Sequence, residues 1–162
     1  MTQLGPADID LATLSFLVGG AANRWLLAAI RKEGHPHLRN AHGYVFQHLV
    51  EGPRTISELK ARMGISQQAV SKIVGELLEL GYLERQADVT DRRLTRVGLS
   101  LEGQGAVEES RRQRAAVESR LKRTVGERGL ADAKAALWAL MQVVGDTDEL
   151  AERRALPPED SD

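Results

Sequence analysis

Between Thr55 and Gly103 the chain sets two short helices, joined by almost nothing, ahead of two strands that flank a charged tip. No other stretch limits the fold so tightly. Thr55 and Glu58 stand in the T-x-x-E relation of a capping box, in which hydroxyl and carboxylate satisfy two helix-end donors reciprocally. Ile56, Leu59 and Met63 then share a core-facing side, and Gly64 supplies a C-terminal stop. Only Ile65 separates this helix from Ser66, which caps a second. In the second helix Val70, Ile73, Val74, Leu77 and Leu78 recur at helical spacing as a buried stripe. The opposite face carries Gln67, Gln68, Ser71, Lys72 and Gly75. Two helices on so short a joint make a helix-turn-helix.

Gly81 ends the second helix. Residues 82–85 read as a strand and 94–99 as its partner, with Thr95 and Val97 favouring extended backbone. The polar span 86–93 is longer than a tight turn and ends in Asp91-Arg92-Arg93. Taken alone, that tip is an ordinary solvated turn. Behind a capped helix-turn-helix it becomes a wing. Double-stranded DNA suits the pair, since a helix fits the major groove and a hairpin reaches the adjacent minor groove. A narrow minor groove concentrates negative potential, which a guanidinium enters while remaining charged. Arg93 is the favoured groove residue and Arg92 a phosphate contact, with the reverse assignment still open. Asp91 would hold an arginine in one rotamer from within the hairpin. Gln67 and Gln68 suit adenine edges, Ser71 donates or accepts, and Lys72 suits a phosphate. Arg54, Thr55 and Arg85 are further phosphate candidates, Arg85 being equally a structural partner of the wing.

The flanks are helical. Residues 9–33 place Leu14, Leu17, Val18, Ala21, Trp25 and Ala29 at helical spacing, and Gly34-His35-Pro36-His37 stops them. Residues 38–49 make a second helix with Val45, Phe46 and Leu49 inward, closed by Glu51-Gly52-Pro53. Ser100 caps a long helix reaching 121–125, Gly126 and Gly129 mark a turn, and 130–144 form a last amphipathic helix. The apolar positions of these end helices exceed what the winged module can cover. Twofold association is the usual way to bury such an excess. Trp25 lines a ligand cavity or serves as core or dimer contact.

A net charge of −1 looks wrong for a DNA binder until it is divided. From Gly145 onward the charge is −5, against +4 for the residues before it. The tail, ending LPPEDSD, is expected to be solvated and partly disordered. The absence of cysteine excludes disulfides and thiol chemistry. No signal-peptide pattern opens the chain, and the apolar segments 11–22 and 25–30 look too short and broken to span a bilayer. The expectation is a cytoplasmic protein with no membrane partner. His35, His37, His42 and His48 lack one-face spacing and a supporting carboxylate pair, so they read as surface or pocket-lining residues without a metal. No phosphate loop, G-x-S-x-G or H-E-x-x-H occurs, so neither a cofactor nor an enzyme is expected.

At the level of text, TISELKARMGISQQAVSKIVGELLELGYLERQADVTDRRLTRVGLSLEGQG, from Thr55 to Gly105, resembles the MarR family of winged-helix transcriptional regulators. Gly81-Tyr82-Leu83-Glu84-Arg85, the Asp91-Arg92-Arg93 tip and Val97-Gly98-Leu99-Ser100 before Gly103 carry the likeness. Ser100 departs from the usual threonine, a change that leaves capping intact. The likeness covers about a third of the chain and implies that Asp91 and Arg93 form the wing signature. It also implies a homodimer on a pseudo-palindromic operator, most often a repressor, in a family where many members release DNA on binding a small aromatic or phenolic molecule. The expected fold is mainly α with a small β-wing: a winged helix-turn-helix with N- and C-terminal helical dimerisation regions. The expected parts are an N-terminal helix in 1–37, the DNA-binding module in 38–100, dimerisation helices in 101–145 and the acidic tail in 146–162. A winged helix serving protein–protein contact in a transcription assembly is the alternative.

Overall fold

A computed structural model describes residues 5–88 and 94–145. The Asp91-Arg92-Arg93 tip and the acidic tail lie outside the described residues. Helix α1 spans Leu11–Lys32, with Asp10 capping it by accepting from the Thr13 N–H at 2.9 Å and the Thr13 hydroxyl at 2.7 Å. Those two bonds, the backbone one foremost, hold the Asp10 carboxyl below its usual range. Helices α2 (Asn40–Leu49), α3 (Ile56–Met63) and α4 (Gln67–Glu79) follow, then β1 (Leu83–Ala87), β2 (Thr95–Leu99) and α5 (Leu101–Val144).

The predicted helix-turn-helix forms as read. Thr55 Oγ accepts from the Glu58 N–H at 3.2 Å, and the Glu58 carboxylate accepts from the Thr55 N–H at 2.7 Å. Gly64 closes α3 in the left-handed region at φ 68°, and Ser66 Oγ accepts from the Ala69 N–H at 3.1 Å to open α4. Leu59, Met63, Val70, Val74 and Leu77 are buried together with Val45, Phe46 and Leu49 from α2. Strands β1 and β2 pair antiparallel from Leu83↔Leu99 to Ala87↔Thr95. Arg54 adds a short third edge through two backbone hydrogen bonds with Val97, at 2.9 and 2.8 Å.

Helix α5 is two arms. Gly126 sits at φ 76°, ψ 172°, a conformation that essentially only glycine adopts, and the helix breaks there. An unbroken helix would separate Glu118 from Lys134 by about 24 Å. Their ion pair at 2.5 Å shows that residues 127–144 fold back along 101–125. Gly129, expected to share the turn, instead lies within the second arm. At the other end Ser100 caps α5, accepting from the Gly103 N–H at 3.1 Å and donating to the Gly81 carbonyl at 2.6 Å.

One expectation fails in α1. The helix runs unbroken through Gly19-Gly20 and Asn23-Arg24, and by length and composition alone it is long and apolar enough to cross a membrane. Glycine within a helix costs only about 1 kcal/mol, which does not stop a helix whose neighbours favour it. Within the chain α1 packs against α5, burying Ile30 and half-burying Leu26 and Leu27. The stripe read as inner, with Leu17, Val18 and Trp25, is instead exposed.

Candidate nucleic-acid interface

Gln67, Gln68, Ser71 and Lys72 are all exposed on the first half of α4, opposite the buried Val70, Val74 and Leu77. The helix therefore offers amide, hydroxyl and ammonium groups from one rigid surface. Thr55 is half-buried at the start of α3, its hydroxyl engaged in the cap. Arg54 turns inward: its guanidinium donates to the His48 carbonyl at 2.9 Å and to the Glu51 carboxylate at 3.0 Å. Those bonds fix the joint between α2 and α3 and draw Arg54 away from an outward-reaching role. Arg85 is exposed on β1.

The partner that steadies the wing is Arg96, which sequence reading missed. From β2 its Nε meets the buried Asp88 carboxylate at the base of the tip, while Nη1 donates to Glu58 at 2.9 Å and to the Pro53 carbonyl at 3.1 Å. One guanidinium thus joins the wing, the loop before α3 and the α3 cap. The Asp88 contact foremost, then Glu58, raises the Arg96 pKa. Conversely the Thr55 N–H foremost, then Arg96, hold the Glu58 carboxyl below its usual range. An acid and an arginine set diagonally across a hairpin were the available signal. The tip residues Asp91, Arg92 and Arg93 lie between Asp88 and Leu94, which are joined by a backbone bond at 3.1 Å, so their root is held although they fall outside the described residues.

Behind α4 lies a second polar cluster. The Glu76 carboxylate pairs with Arg39 and stands 3.3 Å from His42 Nε2. His42 Nδ1 accepts from the Arg39 N–H at 3.2 Å, leaving Nε2 to donate to Glu76. Arg39 and His42 also line a cavity of about 560 Å³ between α1, α2 and the first arm of α5, whose apolar wall includes Leu26, Ile30, Phe46 and Val107. Trp25 does not line it and is exposed instead. His35, His42 and His48 are buried rather than on the surface. His35 Nδ1 lies 3.2 Å from the Tyr82 hydroxyl and 3.1 Å from the Glu102 carboxylate, tying the loop after α1 to the root of the wing. Burial first, then the Glu102 charge, raises the Tyr82 pKa. Among the described residues no group of histidines and carboxylates is arranged to hold a metal.

A capped helix-turn-helix with a hairpin at its end and long flanking helices defines a winged-helix protein. The sequence model of the MarR family matches residues 38–94, the module just described. Among solved structures, YusO from Bacillus subtilis aligns at TM-score 0.64 with 24% identity, over 81% of this chain and 92% of that one. RV1404 from Mycobacterium tuberculosis aligns at TM-score 0.72 with 17% identity, over 90% and 99% respectively. The S. aureus MepR F27L mutant bound to an oligodeoxyribonucleotide aligns at TM-score 0.59 with 16% identity, over 84% and 99%. No curated protein matches the sequence. These likenesses carry the fold, and the matched module carries the family. The chain belongs to the MarR family of winged-helix, DNA-binding transcriptional regulators, which are not enzymes.

Proposed function

We propose that the chain represses transcription as a homodimer on a pseudo-palindromic operator and lets go when a small aromatic or phenolic molecule binds. One observation carries the DNA-reading part: Gln67, Gln68, Ser71 and Lys72 stand exposed together at the start of α4, beside a wing whose base is locked by Arg96. In this reading Gln67, Gln68 and Ser71 meet base edges and Lys72 a phosphate, the usual division in a helix-turn-helix. Arg93 enters the minor groove, Arg92 and Thr55 meet backbone, and Asp91 restrains the arginine beside it. Arg54 supports the joint from inside. The MepR structure with its oligodeoxyribonucleotide shows a chain of this fold on DNA and supports the assignment by likeness.

The dimer rests on apolar surface that nothing in the chain covers. Phe16 is 82% exposed on α1, and Trp138 is 56% and Val143 82% exposed on the second arm of α5. Residues 1–37 and 101–145 then act as the dimerisation region around the module 38–100, with 146–162 as an appended acidic tail. The working place is inside the cell, with the DNA. The cavity behind α2 offers the ligand both apolar wall and polar anchors.

The test takes a duplex selected from a randomised pool and a scrambled control. Gln68→Ala should lose affinity for the selected duplex by roughly tenfold while nearly keeping the scrambled one, the cost of one base contact. Arg93→Ala should weaken both and leave the dimer intact in sedimentation. Equal losses for Gln68→Ala on both duplexes would remove α4 from base reading.

A further inference from the structure

Arg39 faces two ways. Its guanidinium pairs with Glu76 on α4, and the residue lines the cavity behind α2. The cavity wall also carries Arg111 and Arg114 and no carboxylate. Arg114 makes no ion pair among the described contacts, and desolvation of its guanidinium first, then the Arg111 charge, lowers its pKa although the residue as a whole is exposed. Two arginines at one apolar cavity, with a third tied to a carboxylate just outside it, make a place that lacks negative charge.

We propose that the cavity takes an apolar organic anion, and that the anion releases α4 by taking Arg39 from Glu76. The inference rests on the ligand-released reading above and deepens it by naming the ligand's charge and the contact it breaks. Arg39 is half-exposed, so its side chain has room to swing between the two partners. Glu76 is on the same helix as Gln67, Gln68, Ser71 and Lys72, so its tether fixes how that reading surface sits on α2. When Arg39 leaves, His42 remains beside the carboxylate. Burial, and secondly Arg39, hold the His42 pKa at about 4, so at neutral pH it offers a hydrogen bond but no compensating charge. The α4 tether is thereby weakened from the cavity side without any ligand touching DNA.

The experiment titrates 2-naphthoate, with uncharged 2-naphthamide as its counterpart, into the full chain and into Glu76→Gln and Arg39→Gln variants. Glu76→Gln frees Arg39 from its competitor and should bind naphthoate about fivefold more tightly, the worth of one partly exposed ion pair. Arg39→Gln should bind it more weakly, and naphthamide should bind poorly throughout. On the selected duplex, naphthoate should weaken the wild type, whereas Glu76→Gln should start weaker and respond little. Equal naphthoate affinity in wild type and Glu76→Gln would overturn the shared arginine, as would naphthamide binding as well as naphthoate. Naphthoate binding is read without DNA, so a protein that ignores every duplex would sink the DNA-reading proposal and leave the test of Arg39 standing.

Discussion

His42 lies buried between the Arg39 N–H and the Glu76 carboxylate, and its pKa drops from 6.5 to about 4, by burial first and Arg39's charge second. The unfolded chain therefore takes up a proton near 6.5 and the folded one only near 4. Stability from this residue is full above 6.5 and drains away as pH falls from 6.5 to 4. Urea unfolding should show a loss of about 1–2 kcal/mol between pH 7 and pH 5 that Gln in place of His42 removes. An identical pH slope in the variant would contradict the assignment. Nothing in the sequence announced this histidine, because a lone His on an amphipathic helix looks the same whether it faces solvent or a carboxylate of another helix. Arg96 was hidden for a similar reason. It precedes the buried Val97 on β2, where alternation alone reads it as solvated, yet it joins Asp88, Glu58 and Pro53. Local chemistry was easier: the Thr55–Glu58 cap and the Ser66 cap involve neighbours in the chain, so their partners could be named from spacing.

Among elements, the junction of α5 with the wing root is the tightest. A Cβ on Gly103 would stand 2.1 Å from the Tyr82 carbonyl oxygen, a backbone atom that cannot step aside. Gly105, two residues on, has nothing within 4 Å of the same position. Alanine should thus act with opposite sign at the two sites. Gly103→Ala should cost about 2–3 kcal/mol by overpacking, while Gly105→Ala should gain up to about 1 kcal/mol from helix propensity. Thermal unfolding of both variants checks the pair, and a harmless Gly103→Ala would deny the close docking. Element existence was legible throughout, since apolar periods and caps agree along α2, α3 and α4. The orientation of α1 was not. Its apolar residues recur around much of the helix, so spacing could not tell the face on α5 from the face left bare, and Gly19-Gly20 looked like a break that the continuous helix does not have.

For the whole molecule, the account joins three surfaces. An exposed polar face on α4 lies beside a wing rooted by Arg96, bare apolar helices stand at the two ends of the chain, and a cavity between them shares Arg39 with α4. The charge balance fits that division only when the acidic residues after Gly145 are set apart from the mildly basic remainder. A winged helix used for protein contact would share the fold but not the polyelectrolyte signature. The decisive measurement is the affinity of the full chain for its selected duplex as monovalent salt is raised. Reading DNA through phosphates releases counterions, so affinity should fall about 10³-fold or more between 50 and 200 mM salt, and the selected duplex should stay favoured over the scrambled one throughout. Affinity that is indifferent to salt, or equal for the two duplexes, would contradict the central claim.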